Sequence, residues 1–153
     1  MVHYLKLAKE KYTIYDLTIV GEGKYAIVYQ LNEKQVIKVI KEKYSTNPTF
    51  NKLQQEVYFY QQLENIDFIP VMYDYGSDYI VLEFIDGHNL LDLLFLKEKI
   101  TKNHLHEIDK MLEKLNELNV YHNDTHFENV IYSNNKLYLI DLGNASHEVR
   151  SGT

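Results

Sequence analysis

The hydrophobic pattern of this chain changes from that of strands to that of helices and back, in an order few folds share. Residues 13–20, 25–31 and 35–40 are β-branched and aromatic, broken by Gly21-Glu22-Gly23 and Asn32-Glu33-Lys34, and read as three strands. Pro48 then opens a helix whose apolar positions Phe50, Leu53, Val57, Tyr60 and Leu63 form one stripe. Two more strands are expected near 71–75 and 79–85, joined by a turn at Gly76-Ser77-Asp78. The second half is helical first. A short apolar helix is expected over 89–96, followed by a longer one capped by Thr101 or Asn103, with Leu105, Ile108, Leu112, Leu115 and Leu118 on one face. Strands at 129–132 and 136–140 then close on a hairpin turn at Asn134-Asn135. The fold class is therefore α+β, in two sub-lobes.

Composition narrows the function classes. With 16 Lys and Arg against 22 Asp and Glu, the formal charge is −6, so broad attraction to nucleic acid or anionic lipid is not expected. Cysteine is absent, which excludes a disulfide framework, a thiolate zinc site and a cysteine nucleophile. That absence fits a reducing compartment but does not place the protein; the expectation is a cytoplasmic location, in the producing cell or, for a translocated effector, in a host cell. No apolar run approaches the roughly 18 residues of a membrane span, and the first residues lack the features of a signal peptide. At 153 residues, without linker, repeat or low-complexity tract, one domain is expected.

Four local signals carry chemistry. In Gly21-Glu22-Gly23-Lys24-Tyr25-Ala26-Ile27-Val28, two glycines let backbone N–H groups approach a phosphate, and Ala26 adds the next smallest side chain. A strand follows, so this is not a dinucleotide-binding turn or a Walker-type loop; a plain hairpin would look the same. Second, Lys38 sits inside the apolar strand Gln35-Val36-Ile37-Lys38-Val39-Ile40, where a buried ammonium needs anionic partners. A wet strand face is the other reading, but Glu56, 18 residues on and beside the helical stripe, is placed to pair with it.

The third signal is the polar loop Tyr121-His122-Asn123-Asp124-Thr125-His126-Phe127-Glu128-Asn129. Asp124 can accept a hydroxyl proton, Asn129 can offer an oxygen to a divalent metal, and His126 can help neutralise a transferring phosphoryl group. A turn-forming loop and a zinc site at His122 and His126 are the competing readings. Fourth, Asp141 ends an apolar strand as Asp141-Leu142-Gly143, where with Asn129 it suits Mg²⁺, although it also suits an ordinary turn.

Taken in order, these residues resemble the protein-kinase-like superfamily. Gly21, Glu22, Gly23, Ala26 and Val28 look like its glycine-rich loop, with the third glycine replaced. Val36-Ile37-Lys38 looks like the strand lysine motif, and Glu56 falls where the partner glutamate of the first-lobe helix stands. Val81 to Gly87 resembles the hinge, with Leu82 as gatekeeper and Glu83, Phe84 and Ile85 offering backbone groups to adenine. His122-x-Asp124-x-His126-x-x-Asn129 is similar to the catalytic loop and Asp141-Leu142-Gly143 to the metal-binding motif.

The resemblance implies ATP and Mg²⁺ as cofactors and phosphoryl transfer in a cleft between two lobes. Lys38, held by Glu56, would contact phosphates, Asn129 and Asp141 would hold Mg²⁺, Asp124 would act as base, and His126 would contact the γ-phosphate. A minimal serine/threonine protein kinase acting on a protein substrate is the first expectation. Small-molecule phosphotransferases and a nucleotide-binding pseudokinase acting as an interaction module are the alternatives. Ordinary protein kinases carry Lys two residues after the catalytic Asp. The His126 found here is closer to RIO-like kinases, aminoglycoside and choline phosphotransferases, lipopolysaccharide kinases and compact bacterial effector kinases.

Ten residues follow Gly143 in this sequence and hold no Ala-Pro-Glu motif, so the expectation is a chain without an activation segment. The expectation is one minimal domain over 1–153, with a β-rich N-lobe of about 1–85 containing one helix and a strongly truncated helical C-lobe of about 86–153. Phe95, Leu96 and Ile100 then lack obvious cover. A homodimer or an activating partner is expected on that flank, which would also hold Asp141 and the tail.

Overall fold

The computed structural model describes Tyr12, Ile14 and residues 17–45, 52–96 and 100–148. Pro48 and Phe50 of the expected first helix lie outside the described residues. The chain forms two compact units. One comprises described residues up to Glu64 together with Val71–Phe84; the other comprises Asn65–Pro70 together with described residues from Ile85 onward.

The first unit is an antiparallel sheet and a helix. Strands β1 (Ile19–Glu22), β2 (Ala26–Asn32), β3 (Gln35–Ile40), β4 (Met72–Tyr75) and β5 (Tyr79–Glu83) lie in the order β1-β2-β3-β5-β4. The apolar run of β3 takes a central position, with Lys38 opposite Val28 on β2 and Ile80 on β5. The first strand departs from the expected 13–20. Of that range Thr13, Tyr15 and Asp16 lie outside the described residues; β1 runs from Ile19, with Thr18 O already accepting Gln30 N–H at 2.8 Å, and it carries Gly21 and Glu22 into the strand. A register shift between Ile19 and Gly21 bends this edge, and Gly23 N–H closes on Ala26 O at 2.9 Å.

A short helix, α1 (Glu42–Ser45), follows β3 without a signal in the apolar pattern. Helix α2 (Lys52–Gln62) buries Leu53, Val57 and Tyr60 as expected, Leu63 just beyond its end, and also Phe59 and Glu56. At Gly76 glycine is required, since a Cβ there would lie 2.3 Å from Tyr79 Cε1. Strand β5 ends at Glu83, short of the expected 85, with Phe84 N–H making the last bond of the ladder to β3, to Lys34 O at 2.8 Å.

The second unit opens with a strand absent from the sequence pattern, β6 (His88–Asn89), which pairs with β7 (Val130–Ser133). Gly87 permits that approach, since a Cβ there would lie 2.2 Å from Tyr132 O. Asn89 caps α3 (Leu90–Phe95), accepting Asp92 N–H at 2.8 Å. Thr101, not Asn103, caps α4 (Lys102–Glu117): Thr101 Oγ1 accepts His104 N–H at 3.3 Å while His104 Nδ1 accepts Thr101 N–H at 3.2 Å.

The buried line of α4 is Ile108, Met111 and Leu115. Leu105 and Leu118 flank that line and are exposed, and Leu112 is half-buried, so the expected leucine stripe is only partly a core stripe. Asn119, in the left-handed region at φ 59°, ends the helix by donating its N–H to Asn116 O at 3.0 Å.

Strands β7 and β8 (Lys136–Leu139) meet at Asn134 and Asn135, both in the left-handed region as a two-residue hairpin turn requires. Asn129 belongs to a 3₁₀ turn (Phe127–Asn129) and not to the expected strand. The segment 65–70 runs beside β8: Leu139 N–H donates to Phe68 O at 2.9 Å and Lys136 Nζ to Asp67 O at 2.7 Å. Phe95 and Leu96 are 79% and 61% exposed, whereas Ile100 is half-buried. Among the described residues no helix is long and apolar enough to cross a membrane.

Candidate active site

In the first unit, the pleat of β3 and the buried face of α2 bring Lys38 and Glu56 together. Lys38 Nζ lies 2.7 Å from Glu56 Oε2 and 3.0 Å from Oε1, with side-chain exposures of 17% and 4%. A carboxylate this buried is tolerated because the ammonium and its hydrogen bonds offset desolvation. The strand lysine is therefore held at both carboxylate oxygens.

Gly21 and Gly23 contrast with Gly76 and Gly87. A Cβ at Gly21 would meet nothing nearer than Val28 Cβ at 3.8 Å, and one at Gly23 nothing nearer than Ala26 O at 3.9 Å. Neither residue adopts a left-handed backbone conformation, so packing within the chain does not demand glycine there. Room for an external group to approach the backbone is what the two glycines leave. Ala26 is buried and Val28 faces Gly21, while the Glu22 carboxylate reaches Lys41 Nζ at 3.2 Å. Among the expected hinge residues, Glu83 N–H donates to Val71 O at 2.8 Å and Phe84 N–H to Lys34 O. Glu83 and Phe84 thus spend their backbone N–H groups within the sheet.

In the second unit the loop 121–129 is built on His122. Its ring is buried, with Nε2 2.8 Å from Ile140 O and Nδ1 3.3 Å from Asp124 N and 3.0 Å from Thr125 Oγ1. A backbone N–H can only donate, so Nδ1 is unprotonated and the Nε2–H donates to Ile140 O. Burial pushes the imidazole below the ordinary histidine range, against the opposing pull of the Ile140 carbonyl and the Asp141 and Asp124 charges.

With the folded value depressed, the unfolded chain takes up the proton first as pH falls. The stability that neutral His122 contributes is complete above about pH 6.5 and is lost as pH drops through the folded value. Urea midpoints between about pH 5 and 7.5 should therefore fall toward acid more steeply in the wild type than in His122→Gln. Both ring nitrogens are engaged, which argues against a zinc site using His122. Among the described residues, no group of three or more His, Cys, Asp or Glu is disposed to hold a metal.

Asp124 is the centre of the loop. Its Oδ1 lies 3.2 Å from His126 Nε2, and its Oδ2 accepts from Asn129 Nδ2 and Asn144 Nδ2, each at 3.2 Å. Asn129 Nδ2 also donates to Asp124 O at 2.9 Å. With its nitrogen so engaged, buried Asn129 is oriented to present Oδ1 as an oxygen ligand. Ile140 N–H donates to Asn129 O at 2.9 Å, which sets Asp141 one residue from that contact. Asp141 adopts φ 64° and its Oδ1 accepts Gly143 N–H at 3.1 Å. An amide oxygen and a carboxylate are hard donors that fit Mg²⁺ and leave other positions for phosphate and water.

The tail past Gly143 is held from within. Tyr121 and Ser146 exchange two backbone hydrogen bonds, at 2.9 and 3.0 Å, and Asn123 Nδ2 donates to Asn144 O at 3.0 Å and Ser146 Oγ at 2.7 Å. These contacts tie residues 144–146 to the loop from within the chain. Asn123, Asn144 and Ser146 carry no periodic or motif signal. Only their polarity beside Asp124 and Gly143 could have pointed to them.

Comparison with known proteins bears on both units. The family model described as protein kinase domain matches residues 14–153. The chain is similar to the probable serine/threonine-protein kinase YbdM of Bacillus subtilis, 29% identical over 140 residues, covering 80% of this chain and 54% of that protein. It is also similar to the putative serine/threonine-protein kinase YrzF of the same organism, 25% identical over 119 residues, covering 76% and 53%. The chain thus spans about half the length of these relatives. Among solved structures, the bifunctional kinase-methyltransferase WbdD superposes with a TM-score of 0.67 at 21% identity, covering 82% of this chain and 31% of that one. At that identity the likeness concerns the fold alone.

Proposed function

Because this chain belongs to the protein kinase domain family, we propose that it is an ATP- and Mg²⁺-dependent phosphotransferase, a serine/threonine protein kinase acting on a protein hydroxyl. The observation that carries the reading is the Asp124 carboxylate, held on Oδ2 by two amide donors with His126 at Oδ1. A carboxylate fixed in that way is suited to orient a hydroxyl and take its proton. Bound Mg²⁺–ATP supplies the transferable γ-phosphoryl group and neutralises charge on its oxygens.

Each residue then has a task. Lys38, fixed by Glu56, would contact phosphate oxygens, and backbone at Gly21 to Gly23 would cover them. Asn129 and Asp141 would hold the cation, and Ile85 would offer its N–H to the base. Asp124 accepts the hydroxyl proton as the acceptor oxygen bonds to the γ-phosphorus and the bond to the ADP oxygen breaks. His126 stabilises charge beside Asp124. The exposure of Phe95 and Leu96 supports a partner on that flank, a second copy or an activating protein.

Mg²⁺ and ATP together should raise the melting temperature, by the equivalent of about 2.7 kcal/mol at a concentration near 100 times Kd. γ-Labelled ATP then reads the acceptor. Label on the chain or a generic protein supports the proposal, and label on a sugar or aminoglycoside redirects it to a small-molecule kinase. Binding without transfer leaves a nucleotide-binding module. No shift at millimolar Mg²⁺–ATP overturns the reading.

A further inference from the structure

We infer that Asn144 is a positioning residue for phosphoryl transfer, acting through Asp124. The inference deepens the proposed function and rests on it. Asp124 Oδ2 can only accept, so the Asn144 side chain must present its amide N–H to it, at 3.2 Å. Asn129 presents a second amide N–H to the same oxygen, also at 3.2 Å. Two donors converging on Oδ2 fix the carboxylate plane and leave Oδ1, beside His126 Nε2, as the oxygen directed to a hydroxyl proton.

Asn144 is itself held. Its backbone carbonyl accepts from Asn123 Nδ2 at 3.0 Å, and Asn123 reaches on to Ser146 Oγ, two residues further along. Asn123 adopts φ 65°, a left-handed conformation that asparagine tolerates and that the loop uses on the residue preceding Asp124. The Tyr121–Ser146 backbone pair closes the other side. The stretch after Gly143 is therefore a clamp: backbone contacts set where Asn144 stands, and its amide sets how Asp124 is turned. Pre-set donors of this kind matter most where a group must hold one orientation at the moment of proton transfer.

The test compares wild type, Asn144→Ala, Asn144→Asp and Asp124→Ala, alone and combined. Asn144→Ala is expected to lower kcat roughly ten- to a hundredfold, with KM for ATP and the Mg²⁺–ATP melting shift unchanged. Asn144→Asp, equal in size but turned carboxylate to carboxylate, should fall further. In the Asp124→Ala background, Asn144→Ala should cost nothing more, because its effect passes through that carboxylate. Additive losses, or a wild-type kcat in Asn144→Ala, would overturn the role.

The same cycle read by urea unfolding needs no turnover, and a coupling between positions 124 and 144 is expected. Zero coupling would overturn the geometry on which the role depends. An inactive wild type would overturn the phosphotransfer reading, and the role with it, even where the coupling is found.

Discussion

Asp124→Asn is expected to bind Mg²⁺–ATP as the wild type does and to transfer phosphate about 10²- to 10⁴-fold more slowly. The substitution is equal in size and keeps an oxygen that Asn129 and Asn144 can donate to, so the loop around it retains its hydrogen bonds. What disappears is the basic lone pair beside His126 and the negative charge that orients a hydroxyl. Initial rates with labelled ATP and the melting shift on the same samples separate the two effects. A wild-type rate would remove Asp124 from the role of base. A lost melting shift would instead mean that the substitution acts through binding.

The second large effect concerns the Lys38–Glu56 pair. Lys38→Met should abolish transfer and also destabilise the first unit by about 3 kcal/mol, because it leaves a 4% exposed carboxylate without its ammonium. Glu56→Gln should cost less stability, since Lys38 retains more contact with solvent, while still lowering turnover by releasing the lysine from its anchor. The double variant should regain stability relative to Lys38→Met and remain inactive. Urea unfolding of the four proteins gives the cycle directly. Equal midpoints for wild type and Lys38→Met would show that the carboxylate finds adequate solvation without the lysine.

Features encoded by short-range pattern are legible in the sequence. Strand β3 is read to the residue, the Leu53, Val57, Tyr60 and Leu63 stripe lies buried, and the Asn134-Asn135 turn has its expected conformation. Lys38 and Glu56 are legible because a lysine in an apolar strand and a glutamate beside an apolar stripe each pose a burial problem that the other solves. The remainder depends on contacts remote in sequence. Periodicity marked Leu105 and Leu118 as core, but only packing against β8 decides which leucines of α4 are covered, and Met111 takes a place among them. Strand β6 is two residues long and exists because Tyr132 passes close to Gly87. The Asn144 and Ser146 contacts with loop 121–129 join residues about twenty apart and leave no local trace.

The short segment 65–70 shapes how this chain can reach its native state. It is flanked on both sides by residues of the first unit, yet its partners are Leu139 and Lys136, the latter 69 positions away from Asp67. During synthesis the segment emerges long before β8 exists, so Phe68 and Ile69, both buried at the end, stay exposed while most of the chain is made. Closing a loop of that length is an entropic cost met late, when the final hairpin forms. Neither unit can be excised as a continuous stretch of polypeptide, and an N-terminal fragment ending before residue 136 would leave the Asp67 and Phe68 carbonyls without their partners on β8. Such fragments should be the species that chaperones retain and proteases clear.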